Sequence, residues 1–268
     1  MVQNQRGARI MDYRCITYAQ HSGIATITLN RPDVMNALSS QMRAELQDAV
    51  GRAGTQARVL VITGAGRAFC SGQDLADVRS FDSLNLEQIL NDEYVPLLKA
   101  ITDCPVPTIA AVNGTAAGAG ANLALAADVV IATQSANFIQ SFTKIGLVPD
   151  AGGSYWLPRQ IGMARAMAAM LFAEKITADQ AVACGMIWEA VPDAEFAAHW
   201  HARAASLAQG PAMAYRGVKA ALRASFSNDL DGQLALEARL QGQCGASDDF
   251  REGVAAFLQK RPARFSGT

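Results

Sequence analysis

The chain of 268 residues holds only three histidines, and its five cysteines (Cys15, Cys70, Cys104, Cys184, Cys244) never form a Cys-x-x-Cys pair. That spacing argues against a thiolate zinc site or a disulfide scaffold and points to a reducing cytoplasm. His199 and His201 are two residues apart, so on a helix they diverge and cannot share a metal as an i, i+4 pair could. No apolar run reaches the roughly 20 residues of a membrane-spanning helix. The N-terminal Met1–Ile10 is polar, lacks the apolar region of a signal peptide, and is expected to be a frayed extension. Charge is sparse as well: charged residues make up 18%, the net charge is −1, and no basic block or acidic tail occurs. Electrostatics therefore give no case for nucleic acid or an anionic membrane as partner. A composition that is 50% hydrophobic supports a substantial core and suits a homo-oligomer that hides part of its surface.

Familiar cofactor and hydrolase motifs are missing too. Thr63-Gly-Ala-Gly-Arg-Ala-Phe69 follows a strand pattern as a dinucleotide loop should, but Phe69 stands where the third glycine belongs. Gly118-Ala-Gly-Ala-Asn-Leu123 fails at the same place, and no phosphate-binding Gly-x-x-x-x-Gly-Lys-Ser/Thr loop occurs. A Gly-x-Ser-x-Gly nucleophile elbow is absent.

The patterns that are present alternate strand and helix over about the first 150 residues, which favours parallel strands with crossover helices. Tyr13–Tyr18 and Ile24–Asn30 read as a hairpin around His21-Ser22-Gly23. Leu38, Met42, Leu46 and Val50 recur every four residues and mark an amphipathic helix. Arg58–Thr63, Thr108–Val112 and Asp128–Ala132 are apolar runs expected of strands buried on both faces, with Ala136–Ile139 as a further strand. Gly64–Gln73 and Asn113–Gly120 read as glycine-punctuated loops, and Leu84–Ile101 and Ala121–Ala127 as helices. From Gly152 the patterns are mainly helical, with a short strand at Ile187–Val191. The expected division is a core over 11–205 and a helical region over 206–268.

Two glycine-rich loops, Ala68–Asp74 and Ala116–Ala121, each follow a buried strand. Small residues there let backbone amides approach a ligand, and two amides converging on one oxygen can stabilise an enolate beside a carbonyl. Tight packing of helix on strand explains the same glycines. Asp150, in Gly146-Leu-Val-Pro-Asp-Ala-Gly-Gly153, reads from its spacing either as a turn former or helix cap or as an acid/base.

Taken in order, Ile27-Thr-Leu-Asn-Arg-Pro32, Asn36-Ala-Leu38, Phe69-Cys-Ser-Gly-Gln-Asp-Leu75, Pro107–Gly120, Ile145–Gly153, Ala181–Ile187 and Glu252–Arg261 resemble the crotonase, or enoyl-CoA hydratase/isomerase, family over nearly the whole chain. Within it, the 1,2-epoxyphenylacetyl-CoA isomerases of phenylacetate breakdown are read as the closest likeness. The resemblance implies an α/β spiral of repeated ββα units with a helical C-terminal region that forms a homotrimer or a dimer of trimers. It implies an oxyanion hole from the Gln73 and Ala119 amides, and acyl-CoA contacts from Ser71, Gly72, Asp74, Leu75, Asn122 and Phe142. Phe257 and Lys260 would approach the CoA of a neighbouring subunit. Coenzyme A is then part of the substrate, and no separate cofactor or metal is expected.

Where hydratases carry two glutamates, the matching positions here are Asn122 and Phe142, and where they carry glycine this chain has Asp150. That departure implies an isomerase in which Asp150 shuttles one proton, with ring 1,2-epoxyphenylacetyl-CoA or an enoyl-CoA as substrate. Hydration, aroyl-CoA dehalogenation and a non-catalytic CoA- or RNA-binding role are the alternatives. Asp74 is expected to brace its loop. Asn122 is open to two readings, a substrate hydrogen bond or a cap on its helix. Apolar neighbours Phe142, Ile145, Leu147 and Val148 are the expected source of any rise in the Asp150 pKa.

Overall fold

The computed structural model describes residues 13–77 and 85–267. The Met1–Ile10 segment, residue Leu84 of the expected helix and the adjoining stretch from Arg79 lie outside these residues. β1 (Ile16–His21) and β2 (Ile24–Leu29) form the expected antiparallel hairpin. Its two turn residues, Ser22 and Gly23, have φ of 50° and 80°, the paired positive values that match a tight turn to the twist of the strands. Ser39 caps α1 (Ser40–Gln56) by accepting a hydrogen bond from the Met42 N–H.

From there the chain repeats one unit. A long strand joins a first sheet, a three-residue strand joins a second, and a helix returns. β3 (Val59–Gly64) and β4 (Ala68–Cys70) precede the helical stretch of α2 (Leu86–Ile89), a π-helical turn (Leu90–Tyr94) and α3 (Val95–Thr102). β5 (Thr108–Val112) and β6 (Thr115–Ala117) precede α4 (Ala119–Leu125). β7 (Val129–Thr133) and β8 (Asn137–Ile139) precede α5 (Gly153–Ile161). After α6 (Met163–Phe172), β9 (Lys175–Thr177) closes the second sheet. Beyond α7 (Ala178–Ala183), β10 (Glu189–Val191) closes the first. The first sheet runs β1-β2-β3-β5-β7-β10 and the second β4-β6-β8-β9. Both loops of the sequence reading thus hide a strand, β4 and β6. Three residues of Ala, Thr, Cys and Phe are too few to display a period of two.

The central strands are buried on both faces, and alternate side chains serve different cores. Leu60, Ile62, Ala110 and Val112 face α1, α3 and α4, meeting Met42, Leu46, Leu97 and Leu123. Val59, Val61, Ile109 and Ile131 face the other way, against Phe196, Trp200, Ala204 and Ala208 of α8 (Phe196–Ala208). The expected boundary after residue 205 falls inside α8. The buried stripe of that helix repeats every four residues and continues to Ala208.

α9 (Ala212–Ala224) and α10 (Leu230–Gly245) bury no residue of their own, and α11 (Asp248–Leu258) buries Asp249 and Ala256. Polar tethers attach this region instead. Lys219 Nζ reaches the carbonyls of Cys104 and Val106 at 2.6 and 2.7 Å and the Asp128 carboxylate at 2.6 Å. The Arg58 guanidinium, beside the first hairpin turn, donates to the carbonyls of Ala208, Gly210 and Ser266. Between α9, α10 and α11 lies a groove of about 920 Å³ lined by Val218, Leu234, Phe250, Val254 and Phe257. Among the described residues no helix is long and apolar enough to cross a membrane.

Trp200 is the largest side chain that α8 sets against the sheet. Trp200→Ala is expected to cost about 3–5 kcal/mol of stability through the cavity it leaves, read as a lower urea midpoint with an unchanged slope.

Candidate active site

The two glycine-rich loops meet by backbone contact. Gly72 has φ of 97°, and a Cβ there would lie 2.9 Å from the Ala117 carbonyl oxygen and 3.5 Å from the Ala119 nitrogen. A Cβ at Gly120 would lie 2.7 Å from Cys70 Sγ. Glycine at these two positions is therefore required by packing, and the same packing sets the Gly72 and Ala117–Ala119 backbones against each other.

The direction of the Gln73 amide follows from one peptide plane. The Gly72 carbonyl accepts the Leu38 N–H at 2.8 Å, and a trans peptide sends the following N–H the opposite way. The Gln73 N–H consequently points away from Leu38. Ala119 is the first residue of α4, so its N–H has no carbonyl one turn earlier to meet. Phe142 is buried, with its ring 3.8 Å from a Cβ built at Gly118, so it packs against the entry to α4.

Asp150 stands at the end of an irregular segment before α5, followed by Ala151 and Gly152, both with positive φ. Its carbonyl makes the turn, accepting the Gly153 N–H at 2.9 Å, and Gly152 occupies the cap position of α5. The Asp150 side chain is thus neither turn former nor cap. Its Oδ1 is buried without a hydrogen-bond partner among the described residues, and burial pushes its pKa up to about 6. The expected desolvating neighbours are only partly right: Ile145 and Val148 are exposed, 58% and 79%.

Asn122 is fully buried, and both ends of its amide are used. Nδ2 donates to the Asp150 carbonyl at 2.7 Å, and Oδ1 accepts from Gln140 Nε2 at 2.9 Å. Asn122 does not cap its helix, whose cap position is Gly118, and it ties the Asp150 turn to α4. Asp74 braces its loop as expected, pairing with Arg31 at 2.7 Å and accepting the Ala76 N–H. Both carboxylate oxygens of that side chain have partners within the protein. Ser71 is bound through its N–H to the Met35 carbonyl, and Leu75 is exposed at the loop rim. Phe257 lies at the α11 groove, 82% exposed, and Lys260 follows that helix. His199 lies beside Glu189 at 2.8 Å and His201 against the Ala197 carbonyl, so they share no site.

Two residues of the site were not anticipated from sequence. Arg43 and Tyr94 are buried beside Gln73 and both donate to its Oε1, at 3.0 and 2.5 Å. An arginine between the apolar positions Met42 and Leu46 of α1 was the available signal.

The family model for enoyl-CoA hydratase/isomerase matches residues 19–268. A probable enoyl-CoA hydratase from Rhodobacter capsulatus is 63% identical, with 96% of this chain and 100% of that protein covered. The 1,2-epoxyphenylacetyl-CoA isomerase of Escherichia coli K12 is 43% identical, with 91% and 95% covered. The crystal structure of an enoyl-CoA hydratase from Bacillus anthracis superposes with a TM-score of 0.89 at 31% identity, covering 95% of this chain and 100% of that one. The chain belongs to the enoyl-CoA hydratase/isomerase family and has its α/β fold of ββα units with a helical C-terminal region. The expectation that the epoxyphenylacetyl-CoA isomerases are the closest likeness is overturned, since the hydratase relative at 63% stands well above 43%.

Gly72→Ala is expected to force the loops apart at a position where φ already disfavours a side chain. Turnover should drop at least ~10²-fold, the scale of one lost oxyanion donor, in steady-state assays of folded variant.

Proposed function

We propose that the chain binds an acyl-CoA thioester with its carbonyl oxygen between the Gln73 and Ala119 amides, and that Asp150 carries the proton that joins or leaves the α-carbon. The observation that supports this reading is the buried, unpartnered carboxylate oxygen of Asp150, with a pKa near 6, on the turn that Asn122 ties to α4. Negative charge develops on the thioester oxygen as the enolate forms, so two fixed N–H donors stabilise the transition state more than the bound thioester. A carboxyl near pKa 6 exchanges protons in both directions close to neutral pH. Coenzyme A enters as part of the substrate, and no separate cofactor takes part.

Hydration of a 2-enoyl-CoA is the reaction supported by the Rhodobacter capsulatus relative, named a probable enoyl-CoA hydratase at 63% identity. Asp150 then gives its proton to the α-carbon and regains one from the water whose oxygen bonds to the β-carbon. A second reading, migration of the double bond between the β,γ and α,β positions, is favoured by Asn122 and Phe142. They stand where the family resemblance puts two hydratase glutamates, and Asn122 is already committed to the protein. For assembly, the exposed apolar groove of α9–α11 supports contacts in a homotrimer or dimer of trimers.

Purified protein offered 2-enoyl-CoA and 3-enoyl-CoA, with products separated by chromatography, distinguishes the two reactions. Asp150→Asn should lower kcat ~10²–10⁴-fold on the active substrate, and undiminished turnover would remove Asp150 from the mechanism. The pH profile has opposite signs in the two cases. The ionised form prevails above the raised pKa of about 6, so double-bond migration begun by proton removal should lose rate as pH falls through that value. Hydration begun by proton delivery should lose rate as pH rises through it.

A further inference from the structure

We infer that Tyr94 and Arg43 are positioning residues for the Gln73 amide, so that a hydrogen-bond set behind the loop governs how strongly the thioester oxygen is polarised. The inference rests on the acyl-CoA reading above and deepens it.

Gln73 follows Gly72, whose positive φ and missing side chain leave the intervening peptide plane free to rock. Three groups restrain it. Leu38 holds the plane directly, its N–H donating to the Gly72 carbonyl at 2.8 Å. Arg43 Nη1 donates both to the Leu38 carbonyl at 2.5 Å and to Gln73 Oε1 at 3.0 Å, so one guanidinium nitrogen grips the strand segment and the loop side chain together. The Tyr94 hydroxyl donates to the same Oε1 at 2.5 Å, which fills the acceptor sites of that oxygen.

The donors are themselves fixed. Arg43 is 1% exposed, and Glu93 accepts from its Nε and Nη2 at 2.9 and 2.7 Å. Its guanidinium stacks over the Tyr94 ring, 4.7 Å from the centroid. Glu93 and Tyr94 are consecutive and close the π-helical turn, a wide-turn feature that often appears at functional sites. Burial pushes the Tyr94 hydroxyl up, so it stays a neutral donor, and the nearby Asp150 carboxylate adds to that effect. Tyr94 therefore lies within electrostatic reach of the acid/base while holding the residue that supplies one amide. Burying a guanidinium carries a heavy desolvation cost, offset here by Glu93 and by the bonds to Leu38, Ser40 and Gln73.

Tyr94→Phe removes the hydroxyl and keeps the ring. The probe is 4-(dimethylamino)cinnamoyl-CoA, whose absorption moves to longer wavelength as its thioester oxygen accepts stronger hydrogen bonds. Wild type should shift the bound probe. Tyr94→Phe should bind it with a Kd within about threefold, show a smaller shift, and lose roughly tenfold in kcat at little-changed KM, a fraction of the effect of deleting an oxyanion donor. Gln73→Leu should behave alike, whereas Gln73→Glu, which keeps an acceptor oxygen, should retain most of the shift. An unchanged shift and kcat in Tyr94→Phe and Gln73→Leu would overturn the inference, even if their melting temperatures fell. No shift in the wild type would instead sink the acyl-CoA reading, and this inference with it.

Discussion

The contact between Gly72 and the backbone of Ala117 to Ala119 is the constraint around which the rest of the site is arranged. Peptide planes approach this closely only where side chains are absent, so glycine at Gly72 and Gly120 is fixed by geometry before any chemistry is considered. The two strands that carry these loops, β4 and β6, are neighbours in the smaller sheet, and their parallel pairing sets the separation of the loops. The larger sheet fixes the strands that feed them, since β3 and β5 are also paired in parallel. The two amides proposed to hold the thioester oxygen thus come from two adjacent turns of the same ββα spiral.

Around that contact the polar groups divide into those spent on the protein and those left free. Asn122, Asp74, Gln73 Oε1 and Arg43 are all held by hydrogen bonds or ion pairs. Asp150 Oδ1 is left without one. In a buried setting an unpaired carboxylate oxygen is costly, and the raised pKa is the direct expression of that cost. The proposed acid/base is thus a carboxylate whose burial is uncompensated, on a turn whose backbone Asn122 ties down.

Much of this was legible in the sequence. The hairpin, α1 and the central strands announce themselves through turn residues, four-residue spacing and unbroken apolar runs. The loops that carry the amides could be found from their glycines, yet β4 and β6 could not, because three-residue strands carry no periodicity. Asn122 was ambiguous for a different reason. Its partner is the Asp150 carbonyl, 28 positions away, and no local pattern encodes a side chain that recognises a distant backbone group. Tyr94 and Arg43 escaped notice likewise, being joined to Gln73 only once α1 and the π-helical turn pack together. The likeness to the epoxyphenylacetyl-CoA isomerases rests on Asp150 and the two replaced glutamates, a few positions, whereas identity is spread over the whole chain and is higher with the hydratase relative.

The three carbonyls gripped by Arg58 have a consequence for how the molecule comes apart. Ala208, Gly210 and Ser266 lie at the beginning and end of the peripheral helices, and Arg58 itself packs against Gly23 in the first hairpin turn. The helical region is therefore latched at both its ends to one residue beside the first hairpin. Loss of that one guanidinium would release both ends of the region together.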